Sequence, residues 1–165
     1  MAGFDPNQPR DEIGRWTKAE TAARKAAGLS NPVTPESVWD KEGMGSVPLQ
    51  REETEYYGRT RWMTPTEFLS LVPEIPGGSY SANIIKEKLL AGEKMAPPFL
   101  DVAWTGDSWK VLSHEGRNRT IAFYELFGDL PMPVYLLFNG RMRARDVSDE
   151  MLERPMIRQE GSSKW

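Results

Sequence analysis

The side chains best suited to chemistry lie in one stretch of eight residues, Ser113 to Thr120 (SHEGRNRT). It contains the only histidine of the chain, His114, followed by an acid, a glycine and two arginines one residue apart. Histidine and glutamate can exchange protons, and arginine can hold a phosphate or carboxylate through two parallel hydrogen bonds. The stretch therefore predicts an anion site, with Glu115 and His114 as the candidates for general acid or base catalysis.

The segments on either side of this stretch predict a strand-to-helix turn. Residues 109–112 form a short apolar run typical of a buried strand, and residues 121–127 have apolar side chains at helical spacing before Gly128. The free N–H groups and the positive end of a helix favour an anion, and Gly116 allows a sharp bend or a close approach of ligand. The alternative is an ordinary surface pair of arginines that makes only weak ion pairs.

Composition limits the classes of function. The chain has 165 residues, which suit one domain with additional arms, and its net charge of −3 is unlike that of a general nucleic-acid polycation. The absence of cysteine and the single histidine exclude disulfides, thiol catalysis and a Cys/His zinc site, so no metal-ligating set is assigned. Because the chain has neither a long apolar run nor a signal-peptide core, we expect a soluble protein with no membrane contact.

The order of helix and strand signals predicts an α+β fold with a small mixed sheet and flanking helices, preceded by an extended N-terminal arm. The arm is assigned to residues 1–60, which contain one short alanine-rich helix over 17–27 and are expected to pack little against the domain. Trp16 is expected either to anchor this arm on a partner or to pack back on the chain's own domain. The compact domain is assigned to 61–155 and a tail to 156–165.

Within the compact domain, turn and cap residues mark the predicted elements. Thr64, Pro65 and Glu67 form an N-terminal helix signal, Ser81 is the predicted cap of the next helix, and Ser148 begins a last short one. The predicted elements are helices over 65–72, 82–91 and 121–127, strands over 99–104, 109–113 and 133–138, and a hairpin turn over 105–108. The predicted core is Val111, Leu112, Ala122, Phe123, Leu126, Val134, Leu136 and Phe138.

Residues 63–152 resemble the ParB/sulfiredoxin-like superfamily, in particular phage and plasmid members with the signature His-Glu-Gly-Arg-His-Arg. Here the signature stands as His114-Glu115-Gly116-Arg117-Asn118-Arg119, with Met63-Thr64-Pro65, Pro97-Pro98 and Ala144-Arg145-Asp146 as supporting context. The resemblance implies a ParB/sulfiredoxin-like fold and a turn that binds nucleotide phosphates. The implied contacts are Gly116, Arg117, Asn118, Arg119 and Thr120, with Ser81 and Asn83 reaching the nucleotide from the preceding helix.

The same resemblance implies a nucleoside triphosphate with Mg²⁺ as the cofactor. The chain departs from the signature at Asn118, where the family has histidine, and an amide can donate to phosphate but cannot act as an acid or base near pH 7. For this reason nucleotide or phosphate binding is favoured over catalysis, with Arg119 as the principal phosphate contact and Arg117 as a weaker one. A metal-dependent enzyme acting on a nucleotide or on DNA, with Glu115 as base or Mg²⁺ ligand, is an alternative.

The N-terminal segment carries a second resemblance. Residues 10–17 (RDEIGRWT) are similar to a short element of tailed-phage head proteins. This implies a phage or mobile-element protein, located in the cytoplasm of a bacterial host or in the phage virion, with phage structural proteins as partners of the arm and DNA as a further partner. A virion-associated structural protein whose anion site is vestigial is the remaining alternative.

Overall fold

The structure is a computed structural model and describes residues 33–40, 58–74, 79–139 and 142–161. These residues form an α+β fold with a five-stranded mixed sheet, in agreement with the predicted class. The strands are β1 (Gly58–Met63), β2 (Phe99–Trp104), β3 (Trp109–Glu115), β4 (Met132–Phe138) and β5 (Met156–Ile157). The helices are α1 (Pro65–Leu71), α2 (Ser79–Leu90), α3 (Arg117–Phe127) and α4 (Asp149–Leu152), and a 3-10 helix spans Ala144–Asp146.

The sheet has the order β1-β4-β2-β3-β5. The β1–β4 and β2–β3 pairs are antiparallel, whereas β2–β4 and β3–β5 are parallel. The predicted strands at 99–104, 109–113 and 133–138 are confirmed, and the nearly continuous apolar run of β4 lies inside the sheet as its composition suggests. Helix α3 connects β3 to β4 and packs against α1 and α2.

The helix boundaries follow the capping residues in three of four cases. Thr64 caps α1 by accepting a hydrogen bond from the backbone N–H of Glu67, and Ser148 caps α4 in the same way through Met151. Gly128 ends α3 as predicted. The prediction that Ser81 caps the second helix is wrong, because α2 already begins at Ser79.

A β-bulge in β3 decides which side chains face the core. Val102 of β2 pairs with Val111, but the preceding Asp101 pairs with Ser113, so Leu112 is an extra residue without a partner. Directly paired residues share a face, and the bulge therefore places His114 opposite Leu100, on the same face as Val111 and the buried core. The prediction that Leu112 is buried is wrong: it is 37% exposed.

The rest of the predicted core is confirmed. The residues found buried are Val111, Ala122, Phe123, Leu126, Val134, Leu136 and Phe138. At the far end of β3, Trp109 is fully buried between Trp104 and Phe138, with ring centroids 4.7 and 5.1 Å away. Its indole N–H donates to the Met151 carbonyl at 2.7 Å, which ties α4 to the sheet.

Strand β1 extends the sheet into the segment that the sequence assigns to the arm. Arg59 and Arg61 lie on the same face as Met63, yet they remain solvated at their tips and donate to backbone carbonyls. The acceptors are the carbonyls of Val147, Leu152 and Arg154. Because two of the three residues on this face are arginines, β1 lacks the alternation of apolar and polar residues that predicts a strand from the sequence.

Residues 33–40 also belong to the core. Val38 and Trp39 are buried, the Trp39 ring lies 5.2 Å from that of Phe123, and Trp39 forms a β-bridge with Met95. The prediction that residues 1–60 pack little against the domain is therefore wrong for this segment. Trp16 and the helix predicted over 17–27 lie outside the described residues.

The predicted tail begins with a strand. The two residues of β5 pair in parallel with Trp109 and Lys110, and the backbone N–H of Gln159 donates to the Leu71 carbonyl at 2.9 Å. Gly161 lies beside Pro73 at the end of α1. Residues 156–161, called here the C-terminal strap, thus cross from the sheet edge to α1.

Candidate functional site

The turn between β3 and α3 has a geometry that requires glycine. Gly116 is the N-cap of α3 and has φ 101° and ψ 20°, in the left-handed region that side chains disfavour. A Cβ atom at this position would lie 2.6 Å from Cβ of Pro98 and 2.9 Å from a terminal nitrogen of Arg119. The backbone therefore turns sharply against the Pro97–Pro98 segment, and the two family-like motifs are in contact.

Most of the residues predicted to bind phosphate line one cleft of about 310 Å³. The lining residues are Ser81, Ile85, His114, Glu115, Gly116, Arg117, Asn118 and Arg119. Helix α2 forms one wall and the 114–119 turn forms the other. This volume is at the lower end of the range for small-molecule sites, which suits a phosphate with a small attached group.

Two predicted contacts do not line the cleft. Thr120 is fully buried, and its hydroxyl donates to the Gly116 carbonyl at 2.9 Å, so it fixes the first turn of α3 from the inside. Asn83 is exposed on α2 and is not part of the lining. Ser81 does reach the cleft, but from the third position of α2 and not from its cap.

The first turn of α3 leaves backbone donors available. Gly116 has no side chain to cap the helix, and the first intrahelical bond is donated by the N–H of Thr120. The N–H groups of Arg117, Asn118 and Arg119 consequently have no acceptor within the helix. An anion at this position could accept from them directly.

Arg119 is held by its neighbours. Its guanidinium donates to both carboxylate oxygens of Glu115, at 2.6 and 2.5 Å, and to the Pro97 carbonyl at 3.3 Å. This is a bidentate ion pair between residues four apart, the arrangement that makes arginine–carboxylate contacts strong. Glu115, predicted as a base or Mg²⁺ ligand, therefore has both oxygens engaged by an arginine.

Arg117 lacks such a partner. Its Nε is buried and has no hydrogen-bond acceptor in the described part of the chain, and none of the ion pairs found there includes Arg117. A buried donor without an acceptor is costly, so a ligand that supplies one is favoured. The Nε of Arg119 is also buried without an acceptor, but its terminal nitrogens are occupied by Glu115 and Pro97. Arg117 is therefore the arginine of the signature that is more available to bind an anion.

His114 is also bound by the C-terminal strap, through a residue outside the cleft lining. Its Nδ1 lies 2.6 Å from Oε1 of Gln159, and its ring meets the edge of Phe68 at a centroid distance of 6.5 Å. Gln159 is not part of the cleft lining. The imidazole of His114 is therefore held between β3, α1 and the strap. His114 is at the same time one of the residues that line the cleft.

A second carboxylate lies nearby on the other face of the sheet. Burial raises the pKa of Asp101, and a hydrogen bond from the Ser113 hydroxyl at 3.4 Å partly offsets this. Its Oδ1 is buried without a hydrogen-bond partner among the described residues. Asp101 pairs with Ser113 across the bulge and is not part of the cleft.

Across the described ranges, no group of three or more histidine, aspartate or glutamate side chains is arranged to hold a metal ion. The same ranges contain no helix of the length and apolar character needed to cross a bilayer. Comparisons with protein-family models, curated proteins and solved structures gave no match. The ParB/sulfiredoxin-like resemblance consequently depends on the motifs of the chain itself.

Sequence reasoning missed three residues that shape the site. Ile85 forms an apolar part of the cleft wall, although an apolar residue at helical spacing is more typical of a helix face that packs in the core. Pro97 supplies a carbonyl to Arg119, and its position next to Pro98 in the implied motif was the available signal. Gln159 lies 45 residues from His114 in the chain, and no local pattern identifies it.

Proposed function

We propose that this protein binds a nucleotide or another phosphate-bearing ligand in the cleft formed by the 113–120 turn and α2. The observation that carries the proposal is Arg117, which lines the cleft without a hydrogen-bond partner among the described residues and lies beside three backbone N–H groups that have no acceptor within α3. A phosphate has the charge and the number of acceptor oxygens to satisfy both kinds of donor. The interior of the cleft thus complements an anion in charge and in hydrogen-bonding capacity.

Arg119 would contact the ligand only if a phosphate oxygen replaced a Glu115 oxygen as its hydrogen-bond acceptor. It already donates two hydrogen bonds to Glu115, and a phosphate would have to replace that carboxylate or share the guanidinium with it. The side chain of Glu115 is 49% exposed, so it can rotate into solvent without leaving a buried charge. Arg117 is therefore proposed as the primary phosphate contact and Arg119 as a second contact made after Glu115 has moved.

Two features favour binding over catalysis. Asn118 supplies an amide where the implied signature has histidine, and Glu115 is paired with Arg119. Both oxygens of this carboxylate already accept hydrogen bonds from the Arg119 guanidinium, so Glu115 would first have to leave Arg119 before it could act on a ligand or bind Mg²⁺ by itself. Any Mg²⁺ would have to arrive with the phosphates of a nucleoside triphosphate. Glu115 and His114 remain the candidates if the protein is an enzyme that acts on a nucleotide or on DNA.

The proposed biological setting comes from the sequence motifs. The signature at 114–119 supports a ParB/sulfiredoxin-like protein of a phage or mobile element, and the 10–17 element supports contact between the N-terminal arm and phage structural proteins. An α+β domain with a mixed sheet is compatible with this origin. The alternative, a virion-associated structural protein, predicts an anion cleft without useful affinity.

Calorimetry with the full chain tests the proposal. Inorganic phosphate, pyrophosphate, AMP, ATP and CTP would be titrated with and without Mg²⁺ into the wild type, Arg117→Ala and the control Arg145→Ala. Arg145 is exposed on the 3-10 helix and is not part of the cleft lining. Loss of a charge-assisted contact of about 1.5–3 kcal/mol should weaken binding roughly ten- to a hundredfold in Arg117→Ala only.

The outcomes separate the alternatives. Micromolar binding that is lost in Arg117→Ala and retained in Arg145→Ala supports the proposed site. Equal weakening in both variants would indicate general electrostatic attraction, which contradicts a specific cleft. If no compound binds below millimolar concentration, the cleft is vestigial and the structural-protein alternative is favoured. Turnover of a bound nucleotide would identify an enzyme.

A further inference from the structure

We infer that Gln159 of the C-terminal strap sets the tautomer of His114 and thereby makes its Nε2 a hydrogen-bond acceptor in the cleft. On this basis the site selects phosphate monoesters that carry a hydroxyl group near the phosphate, such as sugar phosphates. The inference rests on the proposed function, because it assigns a ligand class to the same cleft. It concerns a positioning residue, since Gln159 acts through His114.

The hydrogen bond between Gln159 and His114 determines which ring nitrogen carries the proton. Oε1 of a glutamine amide can only accept, and it lies 2.6 Å from Nδ1 of His114. Nδ1 must therefore carry the hydrogen, and the neutral ring then has its lone pair on Nε2. No residue of the described ranges forms a hydrogen bond with Nε2, and His114 lines the cleft that Gln159 does not reach.

The strap is anchored well enough to hold this geometry. On one side of Gln159 the β5 residues pair with Trp109 and Lys110, and the Gln159 backbone N–H donates to the Leu71 carbonyl at 2.9 Å. On the other side, Glu160 forms an ion pair with Lys110 at 3.2 Å. The Phe68 ring packs against the imidazole in a T-shaped arrangement, with the ring centroids 6.5 Å apart. The backbone that carries Gln159 is thus anchored, and the imidazole that Gln159 contacts is packed against α1.

The cleft then offers two complementary kinds of recognition. Arg117 and the α3 amides donate hydrogen bonds and suit a phosphate, whereas His114 Nε2 accepts one and suits a hydroxyl. A phosphate ester at neutral pH has acceptors but few donors, so Nε2 is unsatisfied unless the ligand brings a hydroxyl. A site that offers an acceptor discriminates against ligands that displace its water but cannot donate a hydrogen bond to it.

The first test measures the tautomer without any ligand. Because the chain has one histidine, ¹⁵N labelling of histidine gives a single imidazole, and at alkaline pH the nitrogen shifts report which atom carries the proton. We expect the Nδ1–H form in the wild type and in Gln159→Glu, which keeps an acceptor. We expect a shift toward the Nε2–H form in Gln159→Ala. Glu160→Gln, which removes the neighbouring ion pair, should leave the wild-type tautomer.

The second test measures selectivity with ribose 5-phosphate and methyl phosphate, which differ in their hydroxyl groups. Loss of one hydrogen bond should weaken ribose 5-phosphate binding about five- to tenfold in Gln159→Ala, while methyl phosphate binds as before. Glu160→Gln should bind both ligands like the wild type. Equal weakening of both ligands in Gln159→Ala would overturn the assigned selectivity and leave the strap a purely structural element.

The two tests also separate this inference from the proposed function. An Nε2–H tautomer in the wild type, or an unchanged tautomer in Gln159→Ala, overturns the role of Gln159 even if phosphates bind. Conversely, the expected tautomers together with no binding of ribose 5-phosphate or methyl phosphate would refute the ligand class but retain Gln159 as the residue that sets the imidazole proton. If the phosphates and nucleotides tested above also fail to bind, the proposed function is refuted as well.

Discussion

Arg117 and Arg119 have the same chemistry but different surroundings. The Nε atoms of both side chains are buried without an acceptor among the described residues, but the terminal nitrogens of Arg119 donate to Glu115 and Pro97, whereas no described residue accepts a hydrogen bond from Arg117. Because an uncompensated buried donor gains most from a new partner, the affinity for an anion should depend mainly on Arg117. The sequence alone assigned the larger role to Arg119. Adding Arg119→Ala to the calorimetry described above decides between the two rankings, because we expect Arg117→Ala to weaken binding more than Arg119→Ala does.

Glu115 should act as an internal competitor of the ligand. Glu115→Ala removes the carboxylate that occupies Arg119 and reduces the negative charge at the cleft, so we expect phosphate to bind about five- to tenfold more tightly. Affinities of wild type and variant for pyrophosphate would be compared at low and high salt. Weaker binding in Glu115→Ala would mean that Glu115 positions Arg119 for the ligand and does not compete with it.

Asp101 should make the protein less stable as the pH rises. Its pKa is raised by burial, so the unfolded chain loses this proton at a lower pH than the folded protein does. Stability therefore falls between the ordinary aspartate pKa and the raised value. Asp101→Asn removes the charge and keeps an acceptor for Ser113, so its Tm should exceed that of the wild type at pH 7.

The pH dependence of the Tm difference between Asp101→Asn and the wild type shows whether the effect comes from the charge of Asp101 or from its packing. Near pH 3 Asp101 is protonated in both the folded and the unfolded state, and the difference in Tm between Asp101→Asn and the wild type should become small. Ser113→Ala should act in the opposite direction at pH 7, because it removes the hydrogen bond that favours the charged carboxylate. A Tm difference that is equal at both pH values would contradict the electrostatic explanation.

At the scale of elements, a buried ion pair connects the two helices beside the cleft. Lys86 of α2 is only 3% exposed and forms an ion pair with Glu125 of α3. Glu125→Ala removes the carboxylate from a desolvated ammonium, and we expect a loss of about 1.5–3 kcal/mol in the free energy of unfolding. Urea denaturation would measure it, with Glu87→Ala, an exposed acid of α2 next to Lys86, as the control.

Phosphate affinity gives a second measure of the role of the Lys86–Glu125 ion pair. The two helices carry opposite walls of the cleft, with Ser81 and Ile85 on α2 and Arg117 on α3. If the ion pair sets their spacing, Glu125→Ala should also weaken phosphate binding under conditions in which the variant is fully folded. An unchanged affinity together with the expected loss of stability would confine the pair to a structural role.

The elements that the sequence revealed are those with a local signal. Helix α1 has a threonine cap and a proline at its first position, and β4 is a continuous apolar run. Strand β1 lacks such a signal because its inner face carries Arg59 and Arg61, which are satisfied by carbonyls about 90 residues away. Likewise, residues 114–119 are contiguous and could be grouped from the sequence, whereas Gln159 joins them only through the tertiary fold.

At the scale of the whole molecule, the N-terminal segment contributes to the domain's stability. Trp39 is 6% exposed and contacts Phe123, which is fully buried. Trp39→Ala and Phe123→Ala should each cost about 3–5 kcal/mol because both leave a large cavity. Trp62→Ala is the matched control, since Trp62 is 57% exposed on β1 and its loss should change stability by only about 0.5 kcal/mol or less.

Thermal or urea unfolding of the full chain would compare these variants. If Trp39→Ala unfolds like Trp62→Ala, residues 33–40 do not belong to the cooperative unit, and the original division at residue 60 would be appropriate. With the expected result, a truncated chain that starts at Arg61 should be markedly less stable than the full chain, because it lacks Trp39 and half of β1.

The bulge in β3 has a consequence for the gene. A one-codon deletion within an internal β-strand normally reverses the face of every residue beyond it. Leu112, however, is the surplus residue, and its removal leaves Val111 and Ser113 adjacent, as their partners Val102 and Asp101 already are. Loss of the Leu112 codon should therefore be tolerated and preserve His114 on the core face. Loss of the Val111 codon should have nearly the same result, because Leu112 would then take the place opposite Val102. Loss of the Leu136 codon should instead abolish folding, because β4 pairs regularly with β1 and β2 and has no surplus residue to lose. Strand β3 can thus become one residue shorter without turning His114 away from the core.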